Sequence, residues 1–570
     1  MNMETQRTEI AMDRLKAVLD SASITDEERN YLKAAIDTLA YVCSEIERKG
    51  STIHQLRRLL FGPQTEKTSS IREKQTNEKQ TLIDGKITDF NNSEQNEPVI
   101  KNDRDNNNSD DTLPKKSKPK GHGRNGANDY PGAKLITVKH ESLNLSDMCP
   151  GCKRGKIYRT NKPAVIVRVV GNEPLSAKVW ELEKLRCNAC GEVFKAQPPA
   201  NIGKEKYNAK AGAMIGLLKY GTGVPFNRLE WLQGHLGIPM PASTQWEIVD
   251  QVSKDLKPIH NELIVQAAQG EVMYNDDTPI RILDMIGKRL EQKIKEDKNH
   301  SKRKATFTTG IISQTHNEKI ALFFSGSNYA GENLAEVIKK RANNLSAPIQ
   351  MSDALSRNIP KNLPEPLKTI WCNCLAHARR KFVNAEEKFP EECLHVLDEL
   401  SLIYKNDKIA KLQDMTKEER LNFHQAKSKP VMERLKTWID SKSEQIEPNS
   451  ELGKAFKYVT KRWDKFTVFL HIPGAPLDNN ICERILKKAI LHRKNSLFYK
   501  TQNGANVGDI FMSLIHTAAL AKVNPFDYLT QLISNRDKLS DNPSAWTPWC
   551  YQETVNQINA QPDIQIRQAS

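Results

Sequence analysis

EVMYNDDTPIRIL, residues 271–283, is the stretch on which the fold turns. Side chains of a β-strand alternate with a period of two, so Val272, Tyr274 and Asp276 fall on one face. ATFTTGIIS and KIALFFSG follow as two more strand patterns rich in β-branched and aromatic residues, then ENLAEVIKKRA as a helix and APIQMSDAL as a fourth strand ending at Asp353. A three-strand meander followed by a crossover is an α/β order. Such a sheet can hold Asp276 in a central strand beside Asp353 at the end of a neighbour. A third acid must come from elsewhere, and Glu483 is the candidate. In LDNNICERILKKAILHRKN the residues Asn479, Asn480, Glu483 and Lys487 share one helical face.

Three acids in this arrangement suit phosphodiester chemistry. The phosphorus is attacked in line by water or a 3′ hydroxyl, and two metal ions about 4 Å apart activate the nucleophile and stabilise the leaving oxygen. Mg²⁺ or Mn²⁺ takes carboxylate oxygen. Lys487, Lys488, Arg493 and Lys494 follow the third acid closely and can hold a DNA backbone near the metals. Each acid also has an ordinary reading: NDDTP is a good turn sequence, and Glu483 with Lys487 is an i, i+4 helix ion pair.

Around this core the chain has 570 residues, enough for three or more domains. No run of 18 apolar residues and no signal-like N-terminus occurs, so the reading is cytoplasmic with no membrane partner. A balance of 85 Lys+Arg against 70 Asp+Glu gives +15, which favours a polyanionic partner. Leu32, Ile36, Leu39, Cys43, Ile46, Ile53 and Leu60 follow heptad spacing, interrupted at Gly50, and fit either chain pairing or an amphipathic helix on a core. From about Thr68 to Asp129 the sequence turns polar and aperiodic, a linker ending in the basic tract PKKSKPKGHGR.

Of the ten cysteines, four stand in two C-x-x-C pairs, Cys149/Cys152 and Cys187/Cys190, which supply four thiolates for one tetrahedral zinc. AVIVRVV and KVWELEKLR between them read as strands of a ribbon. Cys43, Cys393 and Cys550 read as packed or exposed thiols. Residues 227–236 read as a helix stopped near Gly237, and Ser243 as the N-cap of another, a pair that fits a helix-turn-helix or plain scaffold.

LLFGPQTEK, the two C-x-x-C pairs, DDTP at Asp276, CLAHARRKF from Cys374 and LDNNICERILKKAILHRKNSLF from Leu477 together resemble the IS66 family of bacterial insertion-sequence transposases. The resemblance runs from the heptad segment to WTPWC, and the block after Leu477 is its most specific string. It implies an RNase H-like catalytic core, a preceding zinc domain and a DDE triad on Asp276, Asp353 and Glu483. The interval from Asp353 to Glu483 then implies a helical insertion. Asp277 stands where the family usually has Glu, and Leu375 where it usually has Trp. Arg379 and Arg380 in CLAHARRKF are candidate DNA contacts. Cys372 and Cys374 beside His377 suggest a second zinc but lack a fourth ligand.

The sequence therefore predicts a multidomain α/β protein: a helical or coiled-coil segment (1–67), the linker (68–129), a zinc ribbon (130–200), a helical DNA-binding region (201–265), an RNase H-like DDE domain (266–522) with a helical insertion at about 386–460, and a helical tail (523–570). Its expected reaction is 3′-end cleavage and strand transfer on double-stranded DNA, with two Mg²⁺ (or Mn²⁺) ions and one structural Zn²⁺, by a nucleoid-associated homo-oligomer aided by accessory proteins of the same element. The alternatives are an inactive or domesticated DNA-binding relative and a nuclease of the same fold without strand transfer.

Overall fold

A computed structural model describes Leu32, short stretches between 136 and 199, and residues 205–560 apart from 297–302, 316, 362 and 365–366. The linker, the basic tract, Cys187, Cys190 and all of the heptad segment except the exposed Leu32 lie outside the described residues. The chain divides into two compact units, one formed by 88–371 with 478–570 and the other containing 372–477.

The first unit opens with a small antiparallel hairpin, β1 (Lys184–Arg186) and β2 (Val193–Lys195). Of the expected strand KVWELEKLR only the last three residues are extended in a ladder, because β1 pairs solely with the short β2 and residues 178–183 have no partner strand among the described residues. Of AVIVRVV only Ile166 is described, and it lies in no strand.

Three helices follow: α1 (Ala209–Gly216), which runs into a π-helical turn at Leu217–Gly221, α2 (Phe226–His235) and α3 (Ala242–Ala268). The first of the two helices read near Asn227 is thus present. Ser243 does not cap α3; it lies inside the first turn, behind Pro241. The entry is fixed instead by buried Gln245, whose Nε2 donates to the carbonyls of Met240 at 2.8 Å and Phe226 at 3.1 Å.

Next come β3 (Val272–Ile280), α4 (Gly287–Glu296), β4 (Thr306–Gln314), β5 (Lys319–Gly326), α5 (Ala330–Ile338), β6 (Ile349–Ser352) and β7 (Ile370–Asn373). The five strands form one sheet in the order β5-β4-β3-β6-β7. β3, β4 and β5 make the antiparallel meander expected from the sequence, and β6 joins β3 in parallel after the crossover through α5. Pro279 is tolerated in the central strand because it lies past the β6 pairing, which covers only Val272 to Tyr274.

In the second unit, residues 372–477, the helices are α6 (Leu375–Ala385), α7 (Pro390–Leu412), α8 (Lys417–Lys427), α9 (Lys429–Ser443), α10 (Glu451–Thr460) and the single turn α11 (Trp463–Phe466). Their core is Leu375, Phe382, Val396, Leu400, Leu435 and Phe456. Thr416 and Glu419 form a capping box at the start of α8, and Ser450 caps α10 by accepting from Gly453 N. Buried Asp407 accepts from Arg420 at 2.8 Å and pairs with Lys411 at 2.6 Å. Burial alone would raise its carboxyl, but His424, Arg420 and Lys411 together hold it below the usual carboxylate range.

The chain re-enters the first unit at Asp478 and adds α12 (Asn480–Ser496), α13 (Gln502–Leu520), α14 (Pro525–Ser534) and α15 (Tyr551–Ala560). β5 is a sheet edge, and α13 covers it with side chains four residues apart. Thr517 Oγ1 accepts from Ala321 N, Ser513 Oγ from Phe323 N and Asp509 Oδ2 from Ser325 N. Four helical residues advance about 6 Å. Two strand residues advance about 6.7 Å. The two repeats match over three rungs, so the edge is satisfied by a helix instead of a sixth strand. Gly508 on the same helix is required by close approach: a Cβ there would lie 2.4 Å from Tyr499 Oη. Among the described residues no helix is long and apolar enough to cross a membrane.

Candidate active site

The register of the central strands brings the first two expected acids together. Val272 pairs with Ile349 and Tyr274 with Met351 in the parallel β3–β6 ladder. Two residues further along the same register, Asp276 is level with Asp353, which directly follows β6.

On the other side of β3, Asp276 faces Gly310 of β4. The missing side chain there lets α12 lie close: a Cβ on Gly310 would be 3.3 Å from Leu486 Cδ1 and 3.8 Å from Cys482 Sγ. Cys482 Sγ donates to the Gly310 carbonyl at 3.4 Å, and Asn479 Nδ2 donates to the Asn275 carbonyl at 3.2 Å. These contacts hold the first turn of α12 over β3 and β4, and Glu483 is the next residue after Cys482. Among the described residues, Asp276, Asp353 and Glu483 thus converge, whereas Asp277 does not.

The electrostatics agree with that geometry. Burial pushes the Asp276 carboxyl up to about 7, and the charges of Asp353, Asp277 and Glu483 add to the rise. The backbone N–H of Asp277, donating to Asp276 Oδ1 at 2.8 Å, opposes it. An acid raised by neighbouring negative charges in this way marks a site of negative potential suited to a cation. All three donors are hard carboxylate oxygens, the chemistry that Mg²⁺ and Mn²⁺ take.

Asn358, absent from the sequence reading, ties two of the acids together. Its Nδ2 donates to Asp353 Oδ1 at 2.5 Å and lies 3.5 Å from Asp276 Oδ1. The residue is fully buried, and its carbonyl accepts from Asn275 Nδ2 and Gln350 Nε2, both at 2.8 Å. No sequence signal marks it, since a lone Asn five residues after an acid has no distinctive pattern.

Asp277 belongs to the opposite face of β3. Its buried carboxylate is 2.8 Å from Arg357. Burial raises the Asp277 carboxyl and the Arg357 charge counters it. That matched pair needs no metal.

Of the expected DNA contacts, Lys487, Lys488 and Lys494 are exposed along α12. Arg493 is half-buried and braces the helix, donating to Thr278 Oγ1 at 2.9 Å and to the Pro279 carbonyl. Arg379 and Arg380 lie half-buried on α6 in the other unit, as does His377, while Cys372 and Cys374 are buried.

For zinc, one of the two cysteine pairs is described. Cys149 N donates to the Gly155 carbonyl and Lys153 N to the Cys149 carbonyl, both at 2.8 Å, and Met148 bridges to Lys156. This is a tight knuckle. The backbone N–H groups of Arg154 and Gly155 and the Cys149 thiol lower the pKa of Cys152, favouring the thiolate that a metal needs. Cys393 is buried and Cys550 half-buried, as expected of packed thiols.

Comparison with known proteins adds an independent finding. The family model described as Transposase IS66 family matches residues 204–507, more than half of the chain. That span contains all three acids and the whole helical unit but neither cysteine pair. Among curated proteins, the chain is 26% identical over 400 residues to "Uncharacterized protein y4jD" of Sinorhizobium fredii, covering 67% of this chain and 73% of that one. It is 24% identical over 393 residues to "Uncharacterized protein y4hP" of the same organism, covering 63% and 65%.

Proposed function

The chain belongs to the IS66 family of transposases, and on that premise we propose that Asp276, Asp353 and Glu483 form a DDE site that cuts and joins DNA. Family membership supports a transposase role, and with it DNA binding and use of a divalent metal. The observation that carries the finer reading is the convergence of Asp353 and Glu483 on the half-buried Asp276, whose carboxyl rises to about 7 beside them.

Two Mg²⁺ (or Mn²⁺) ions held by the three carboxylates would activate the attacking oxygen and stabilise the leaving one. The sheet order β5-β4-β3-β6-β7, with β4 antiparallel to its neighbours, supports an RNase H-like core. In the first step water attacks the phosphodiester at the transposon end, the P–O bond to the 3′ oxygen breaks, and that oxygen leaves as a 3′ hydroxyl. In the second step the hydroxyl attacks a target phosphodiester and displaces another 3′ oxygen. Asn358 keeps the first two carboxylates together, and Asn479 with Cys482 keeps the third above them. Lys487, Lys488 and Lys494 hold the DNA backbone beside the acids, and Arg379 and Arg380 are further DNA contacts. Cys149, Cys152, Cys187 and Cys190 bind one structural Zn²⁺, in a module that positions the transposon end. The active form is a homo-oligomer that brings two such ends together, with accessory proteins of the element as further partners.

The test is Mg²⁺-dependent nicking of a duplex carrying the element's own end. Asp353→Asn and Glu483→Asn should each remove nicking and leave duplex binding intact. Near wild-type nicking by either variant would overturn the assignment.

A further inference from the structure

We propose that the helical unit carries a second DNA-backbone surface on α10, separate from the lysines of α12; this inference rests on the transposase reading above. From Lys454 to Lys465 five of twelve residues are basic, against one acid, Asp464. Their spacing matters more than their number. At 100° per residue, Lys454, Lys457, Tyr458 and Lys461 fall within about a 100° arc of one helix face. The opposite face, Leu452, Ala455, Phe456 and Val459, is buried in the unit's core, so the stripe is turned outward. All three lysines are exposed.

Two further cations extend the stripe sideways through an aromatic ring. The Arg462 guanidinium lies 4.6 Å from the centre of the Tyr458 ring and Lys381 Nζ lies 5.4 Å from it. Arg462 is also fixed by donating to the Tyr458 carbonyl at 3.2 Å. These are held positions for positive charge, in contrast to freely rotating surface lysines. The one carboxylate on the same helix face, Glu451, is occupied by Lys388 at 3.2 Å. No ion pair engages Lys454, Lys457 or Lys461 among the described residues.

A row of like charges that repel one another along about 10 Å of helix is stabilised by a polyanion of matching pitch. Duplex DNA, with its phosphates about 3.4 Å apart along each strand's axis, supplies that charge density. Tyr458 gives the row an apolar plate against which deoxyribose can rest. The partner that fits is the backbone of a DNA duplex, contacted without reading its sequence.

The experiment uses the full chain and a fluorescent 30-base-pair duplex, with affinity followed by anisotropy from 50 to 200 mM KCl. Lys454→Gln, Lys457→Gln and Lys461→Gln together should reduce the slope of log affinity against log salt by about 3, since each phosphate contact contributes about 0.9. Glutamine keeps helix propensity, so thermal unfolding should be unchanged. A control triple on other exposed helix faces of the same unit, Lys405→Gln, Lys408→Gln and Lys427→Gln, removes the same charge and should change the slope by less than 1. Equal losses in the two triples, or no loss in the first beside a steep wild-type slope, would overturn the stripe and leave the transposase reading standing. A wild-type chain that bound no duplex would overturn both.

Discussion

The sheet unit contains two aspartates, Asp509 buried and Asp276 half-buried, whose carboxyls both rise to about 7, and they reach that value in opposite surroundings. Asp509 on α13 faces hydrogen-bond donors: Ser325 N at 2.6 Å and Ser325 Oγ at 2.7 Å. Asp276 in β3 faces other carboxylates. Burial is the largest cause in each case, but at Asp509 the neighbouring groups lower the pKa, whereas at Asp276 the neighbouring acids raise it further. A buried acid answered by donors is structural, whereas one crowded by acids is poised for a cation that the polypeptide does not supply. The same raised carboxyl therefore has two meanings, and its neighbours decide between them.

The largest expected effect tests that distinction directly. Asparagine keeps the shape of aspartate and removes its charge, so it should be almost silent in one position and disabling in the other. Asp276→Asn should lower Mg²⁺-dependent nicking by on the order of 10³-fold or more, with duplex binding retained. The triple variant with Asp353→Asn and Glu483→Asn should be scarcely worse than any single one, because ligands that share metals act as a unit. Asp509→Asn should nick at near wild-type rate. Mg²⁺ should also raise the wild-type unfolding temperature and fail to do so in Asp276→Asn. If Asp509→Asn abolished nicking while Asp276→Asn did not, the comparison would be reversed.

A second contrast replaces shape as well as charge. Asp509→Ala strands the buried Ser325 amide, which costs about 1–3 kcal/mol when left without a partner, and takes one of two partners from the Ser325 hydroxyl, which keeps Thr308 Oγ1 at 2.8 Å. We expect about 3 kcal/mol of lost stability by urea unfolding, and an edge strand exposed at one rung. A loss below about 1 kcal/mol would mean that water replaces the carboxylate and that α13 is not needed to close the edge. A smaller effect belongs to Asp277, the neighbour of Asp276 on the other strand face. Asp277→Asn leaves Arg357 without its ion pair, but Arg357 is 35% exposed and can turn to water. The expected cost is about 2 kcal/mol with nicking reduced less than tenfold. A severe loss of nicking in Asp277→Asn alone would place the metal ligand one residue further along β3.

How much of this was legible in the sequence follows from which forces are local. The meander and β6 were legible because strand alternation and β-branched residues mark each strand independently of the rest. The placement of Asp276 in a strand, Asp353 at a strand end and Glu483 on a helix was legible because strand alternation and helix faces follow from short periodicities, whereas joining the three as a triad leaned on the resemblance of the strings around them. Asn358 and Arg357 could not, since their roles exist only once β6 has been laid beside β3. The cover over β5 was hidden for the same reason: Asp509, Ser513 and Thr517 read as polar interruptions of a helix until the strand some 190 residues earlier supplies its amides. α4, between β3 and β4, went unforeseen because its ten residues include six charged ones and little apolar stripe. The cysteine pairs were legible by spacing, and the knuckle at Cys149 to Gly155 has the expected turn, but their union in one site depends on Cys187 and Cys190, outside the described residues.

The smallest effect offers the finest test of the comparison, because it reads the Asp509 carboxyl itself. Burial raises its pKa from the ordinary 3.8 to about 7 in the folded chain, so folding favours the protonated form. The sign follows from linkage: protonation contributes stability that is fully present below about pH 4 and is lost as the pH rises through 7. Between pH 6 and pH 8 that loss amounts to about 1 kcal/mol. Asp509→Asn cannot ionise, and its amide can still accept from Ser325 N and donate to Ser325 Oγ. The variant should therefore gain about 1 kcal/mol on the wild type over that interval, read as a widening gap between the two urea midpoints. Every other titrating group, Asp276 included, is common to both proteins and cancels in the difference. Parallel midpoints from pH 6 to 8 would mean that the two Ser325 donors hold the Asp509 carboxyl in the ordinary range, and the likeness between the two aspartates would then be lost.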